Sequence, residues 1–206
     1  MRFKVELWVR LKVADLVAQT AWMTLTEKLD FSSDLHGMVR YLYWGFEAEG
    51  ESAEKVIEEL DRVVRIDSSF TNQNKHLYLL RVIEDKPGAE FIAAGDLSLD
   101  RDYPVHDADA IVGTGNKRYA CDLLVRELRS DRAEGFVSRL VSRLKGTKVS
   151  GMKAGEVWRL IINASGDEDA VKKVDNMAVT RSRREGVLFN PHYQTSELIG
   201  ISVPDE

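Results

Sequence analysis

Arg2-Phe3-Lys4-Val5-Glu6-Leu7-Trp8-Val9-Arg10-Leu11-Lys12 opens the chain, and its alternation decides the fold. Phe3, Val5, Leu7, Val9 and Leu11 point one way; Arg2, Lys4, Glu6, Arg10 and Lys12 point the other, with Trp8 among them. A period of two marks a strand with one buried face. The signature returns 116 residues later, where Leu7-Trp8-Val9-Arg10 becomes Leu123-Leu124-Val125-Arg126. A second echo, Gly37-Met38 followed by Trp44, returns 114 residues on as Gly151-Met152 followed by Trp158. Both marks fall on corresponding strands. The reading is a duplicated unit of about 115 residues, not a solenoid.

Working outward, residues 13–29 change to helical period, with Val13, Leu16, Val17, Thr20, Ala21 and Leu25 on one expected inward stripe. Residues 38–47 are dense in aromatic and β-branched types and read as a strand long enough to bend and pair with itself. A helix with Ala53, Val56, Ile57, Leu60 and Val64 on one face follows, then a strand over 75–84. The second half repeats the order: strand 121–128, helix around 136–144, long strand 149–164, helix 167–183 with Gly186 as its stop, strand 194–203. The fold class expected is α+β, two ferredoxin-like βαββαβ units in tandem, antiparallel sheets with helices on one face. The units are 1–84 and 117–206. Residues 85–116, rich in glycine, proline and aspartate, read as a linker with a short strand around 91–99. Each sheet would leave one face open. Trp8, Trp44 and Trp158 suit burial of those faces or edges against each other.

The 206 residues carry 29 Lys plus Arg against 34 Asp plus Glu, a net charge of −5. That balance opposes general nucleic-acid binding, which needs a basic surface. No apolar run exceeds four residues, so neither a membrane span nor a signal core is expected. One cysteine, Cys121, excludes a disulfide framework and a thiolate metal cluster. A cytoplasmic location follows as an expectation.

From Lys148 to Pro191 the residues become specific. Val149-Ser150-Gly151-Met152-Lys153-Ala154-Gly155-Glu156-Val157-Trp158-Arg159-Leu160-Ile161-Ile162 opens the long strand; Ala170-Val171-Lys172-Lys173-Val174-Asp175-Asn176-Met177 lies in the helix; Val187-Leu188-Phe189-Asn190-Pro191 closes it. This segment resembles the PurS family, the small subunit of phosphoribosylformylglycinamidine synthase. The resemblance covers about residues 121–203, and residues 1–84 join it through the repeat. The chain differs in being a tandem, in carrying the linker, and in having Ser69-Phe70-Thr71-Asn72 where the second half has its Asn-Pro turn. The resemblance implies a non-catalytic accessory subunit of purine biosynthesis. It would dock an ATP-dependent synthetase subunit to a glutaminase subunit, so that ammonia from glutamine reaches formylglycinamide ribonucleotide. The tandem would be a covalent form of the family's dimer. Asn190, Pro191 and His192 are the expected partner-binding residues. No catalytic residue, metal or cofactor is expected; further self-association is left open.

Other constellations read as ordinary structure. Asp96, Asp100, Asp102, Asp107 and Asp109 lack the glycine and terminal glutamate of a calcium loop and read as solvated linker. Gly113-Thr114-Gly115-Asn116-Lys117 lacks the Gly-Lys-Ser/Thr ending of a phosphate loop. His36, His76, His106 and His192 share no ligand spacing, and Cys121 reads as a small buried hydrophobe. Arg181, Arg183 and Arg184 complement a helix C-terminus. The aromatics around Arg40, Tyr41, Tyr43 and Phe46 do not match an RNA-stacking motif. The alternative function is a small-metabolite-binding regulatory module of paired ferredoxin-like domains, by fold-level analogy.

Overall fold

The computed structural model describes residues 1–83, 92–99, 117–128, 132–182 and 185–203. Its elements are β1 (Arg2–Leu11), α1 (Leu16–Met23), β2 (Leu35–Glu49), α2 (Ala53–Ile66), β3 (His76–Ile83), β4 (Ala93–Gly95), β5 (Lys117–Glu127), α3 (Arg132–Val141), β6 (Lys148–Ala164), α4 (Asp167–Ala178) and β7 (Gln194–Ser202). A π-helical turn, Thr24–Lys28, extends α1. The fold is α+β, and its strands follow the order β4-β3-β1-β2-β6-β5-β7. The pairs β1–β2, β1–β3, β3–β4, β5–β6 and β5–β7 are antiparallel.

Two compact units emerge, and they cut across the repeat. One comprises Met1–Val13, Leu42–Ser98 and Ser130–Gly155; the other comprises Ala14–Tyr41, Leu99–Arg129 and Glu156–Glu206. The division expected at 85–116 follows the sequence repeat; each unit instead takes a helix and half of a long strand from the opposite half. The acidic and glycine-rich features at Asp100, Asp102, Asp107, Asp109 and 113–116, with His106, Arg183 and Arg184, lie outside the described residues.

In the first unit, Val5, Leu7 and Val9 of β1 meet Trp44, Phe46 and Ala48 of β2 and Leu80 and Val82 of β3. Val56, Ile57, Leu60, Val63 and Val64 of α2 close over them. Burial contributes about 1.5–3 kcal/mol for each such large side chain. Ser52 starts α2 by accepting the Lys55 N–H at 3.4 Å. The second helix of this core is α3, which inserts Leu140, with Phe136 and Leu144 packed alongside. Phe70 gathers Trp44 and Phe136 around it at ring separations of 5.7 and 5.8 Å. Glu59 of α2 clasps the segment after α3: its carboxylate accepts the N–H groups of Gly146 at 2.9 Å and Thr147 at 2.7 Å. Burial opposes its ionisation, but these donors outweigh that and hold the carboxyl below its usual range.

In the second unit, Tyr119, Cys121, Leu123 and Val125 of β5 pack with Trp158, Leu160, Ile162 and Ala164 of β6. Ala170, Val174 and Met177 of α4 cover them beside Ala18 and Leu25 of the α1 segment. Asp15 caps α1 by accepting the Val17 N–H at 2.9 Å. Arg40 donates to Asp15 and to Glu156, both at 2.9 Å, and so ties the cap to the sheet. Lys173 of α4 reaches Asp34 Oδ1 and the Asn163 carbonyl, both at 2.8 Å.

Several expectations need correction. The inward side of α1 is Ala18 and Leu25, with Ala21 and Trp22 partly buried; Leu16 and Val17 face solvent at 72% and 51% exposure. Ala18 and Leu25 set this phase, because they are the residues that pack into the core under α4. Neither β2 nor β6 bends back to pair with itself; β1 pairs along the second half of β2, and β5 along the second half of β6. Trp44 and Trp158 belong to the helix-side cores. α4 ends at Ala178, because residues 187–189 return and donate to its last carbonyls: Val187 to Met177 at 3.1 Å and Leu188 to Ala178 at 3.0 Å. Gly186, at φ +53°, makes that return; a Cβ there would lie 2.1 Å from the Val179 carbonyl oxygen.

Candidate partner-docking site

Asn190 begins a tight turn into β7. Its carbonyl accepts the N–H groups of Tyr193 at 3.0 Å and Gln194 at 2.9 Å. Its side-chain Oδ1 accepts the His192 N–H at 3.0 Å, an Asx turn. Its own N–H donates to Gln194 Oε1 at 2.9 Å. The Asn190 carbonyl, N–H and Oδ1 are thus engaged in the turn. What the turn displays is Pro191 and His192, both exposed, and Tyr193, which is 71% exposed. The His192 and Tyr193 rings meet edge to face at 6.4 Å. Of the expected trio, Asn190 frames the turn and is half-buried, Pro191 and His192 are exposed on it, and Tyr193 is exposed beside them.

The first half contains the same turn. The Asn72 carbonyl accepts Lys75 N–H and His76 N–H, both at 2.8 Å, and its Oδ1 accepts the Asn74 N–H at 3.0 Å. Its own N–H donates to His76 Nδ1 at 3.0 Å. The equivalence, 118 residues apart, was obscured because the first turn carries Gln73 where the second carries Pro191. The apparent absence of this turn from the first half is thus only the absence of its proline. The two tips differ sharply: Gln73-Asn74-Lys75 against Pro191-His192-Tyr193. One backbone geometry accepts both, so folding does not demand the cyclic and aromatic tip.

The pairing of His76 Nδ1 as an acceptor requires a neutral imidazole. Burial and the Lys75 charge push the His76 pKa down. A depressed folded value means stability that is full above about pH 6.5 and declines as pH falls through the folded pKa. His76→Gln, the residue type found at 194, is expected to flatten that decline. Thermal midpoints of both proteins at pH 7.5 and 5.5 check it, and an unchanged difference between the two pH values would contradict it.

Two buried carboxylates of the described residues are already paired. Glu6 accepts from Trp8 Nε1 at 3.1 Å, Tyr43 Oη at 2.8 Å and Arg81 Nε at 3.0 Å. Its repeat partner Asp122 receives both Nε and Nη2 of Arg159 at 2.7 Å. Arg159 also donates to the Leu99 carbonyl. Both carboxylates are buried and hydrogen-bonded at both oxygens, which suits anchoring. Cys121 is fully buried, and burial, with Asp122 nearby, pushes its thiol up to about 12, the opposite of an activated nucleophile. His36 is buried in β2, and Arg181 pairs with Asp175. A cavity of about 650 Å³ in the first unit is lined by Arg2, Phe3, Lys4, Glu47 and Glu49, where Arg2 and Glu49 already pair at 2.7 Å. Among the described residues no three His, Cys, Asp or Glu side chains are grouped to hold a metal ion. No described helix is long and apolar enough to cross a membrane.

No protein-family model, curated protein or solved structure matches the chain.

Proposed function

We propose that the chain is a non-catalytic accessory subunit of phosphoribosylformylglycinamidine synthase, bridging the synthetase and glutaminase subunits. The observation that carries the reading is the exposed Pro191-His192-Tyr193 tip, displayed on a turn that the first half builds with polar residues. Proline and tyrosine offer rigid contact area at small entropic cost, as protein interfaces favour. The resemblance of residues 121–203 to the PurS family supplies the identity of the partners. The finer fold belongs to the same proposal. Each unit reads as a ferredoxin-like βαββαβ arrangement whose first helix and second strand come from the other repeat.

The test converts one tip into the other. The triple variant Pro191→Gln, His192→Asn, Tyr193→Lys keeps Asn190 and adopts the first half's tip, so the turn is retained. Tagged wild-type and variant chains are used as bait with glutamine and Mg-ADP present. Wild type is expected to retain both the synthetase and the glutaminase, and the variant to lose at least one. Recovery of neither by the wild type, or of both by the variant, would overturn the assignment of the tip.

A further inference from the structure

β7 ends one side of its sheet, with β5 as its only neighbour among the described residues. The Leu128 N–H donates to the Tyr193 carbonyl at 2.9 Å, so in the antiparallel ladder Thr195 and Glu197 turn their backbone groups toward β5. Ser196 and Leu198 turn theirs outward, and among the described residues nothing takes them. The strand contains neither lysine nor proline, residues that commonly guard such an edge. Ile199 is an extra residue between the pairs Leu123–Leu198 and Asp122–Gly200, and this bulge ends the accepting stretch.

The first half shows what such an edge takes. Counted from the two asparagine turns, Tyr78 and Leu80 of β3 correspond to Ser196 and Leu198, 118 residues on. There the segment Ile92–Leu97 covers the outward groups. The Tyr78 N–H donates to Asp96 Oδ1 at 3.2 Å, and its carbonyl accepts the N–H groups of Asp96 and Leu97, both at 3.0 Å. Ala94 pairs antiparallel with Leu80, and Ile92 and Ala94 pack against the core that Leu80 enters. Leu198 packs at the rim of the second core as Leu80 does in the first, but without a covering strand.

We propose that the β7 edge, at Ser196 and Leu198, docks an extended segment of a partner protein as an added antiparallel strand. The segment carries a small apolar residue opposite Leu198 and an acceptor for the Ser196 N–H, as Ala94 and Asp96 do on β3. It lies beside the tip at 191–193, which leads directly into β7. A second copy of the chain is the poorer occupant. Two such stretches would match Ser196 with Leu198 and set Glu197 directly against Glu197, a repulsion that Arg126, 3.7 Å from Glu197, offsets only in part. A shift of register in either direction meets the bulge at Ile199 or the Gln194 N–H, which already donates to Asn190. The proposal rests on the docking reading only for the identity of the partner.

The probe is the heptapeptide Ile92–Ser98, added to the full isotope-labelled chain and followed by amide hydrogen exchange. At saturation the Ser196 and Leu198 amides are expected to exchange at least about fivefold more slowly. The same peptide N-methylated at Ala94 lacks the donor for Leu198 and should protect neither. Ser196→Pro removes an outward N–H without touching the β5 ladder and should abolish protection of Leu198, while Ser196→Ala should keep it. Unchanged circular dichroism and thermal midpoint verify that both variants fold. Unaltered exchange at millimolar peptide, or equal protection by the N-methylated peptide, would overturn the proposal. So would self-association of the chain that Ser196→Pro abolishes. With the synthetase and glutaminase as prey, loss of either by Ser196→Pro but not by Ser196→Ala supports this edge as their docking strand. If the peptide protects the edge and the wild type recovers neither subunit, the edge stands and the identity of the partner falls. If Ser196→Pro recovers both as well as the wild type does, the edge proposal falls and the docking reading stands.

Discussion

Arg159→Ala is expected to lose about 3–5 kcal/mol of unfolding free energy, the usual result of stranding one member of a buried ion pair. Arg159 and Asp122 are 9% and 11% exposed at the side chain and share two 2.7 Å hydrogen bonds. Removing the guanidinium leaves a carboxylate with no comparable partner and opens the Leu99 carbonyl as well. Replacing both residues by apolar groups of similar size should cost much less, because the double change strands nothing. Urea denaturation of the single and double variants measures this. A loss below about 1 kcal/mol for Arg159→Ala would show that the pair is solvated and not an anchor.

Leu140→Ala is expected to cost about 2–5 kcal/mol, and the place of the damage matters more than its size. Leu140 lies in the second half of the sequence, yet it is fully buried in the core that α2 closes. Hydrogen exchange should therefore accelerate in α2, residues 53–66, and spare α4, residues 167–178. A chain whose halves folded separately would show the reverse. Leu25→Ala, fully buried beside α4, provides the mirror-image test.

The alternation in residues 2–12 and its echo at Leu123-Leu124-Val125-Arg126 made the strands β1 and β5 legible, because strand period survives whatever covers the sheet. Exchange of α1 and α3 was not legible. A helix displays the same stripe whichever sheet it meets, and nothing local to Leu25 or Leu140 names the partner. The phase of α1 is not legible from its apolar residues, because Leu16 and Val17 are apolar and sit outside while Ala18 and Leu25 enter the core. The Asn190 turn was visible through its proline, and Asn72 was missed for want of one. Tyr193 carried a signal in comparison with Lys75, available once the two turns are aligned on their asparagines. The pairing of Asp122 with Arg159 needed the β5–β6 register, which joins residues far apart in sequence.

The central claim is that the chain couples a glutaminase to a synthetase. Reconstitution tests it most directly: purified synthetase and glutaminase are assayed for conversion of formylglycinamide ribonucleotide, with glutamine or with ammonium as nitrogen source, before and after addition of this chain. Glutamine-dependent turnover is expected to rise with added chain while ammonium-dependent turnover does not change. Glutamine-dependent turnover that is indifferent to saturating chain would contradict it.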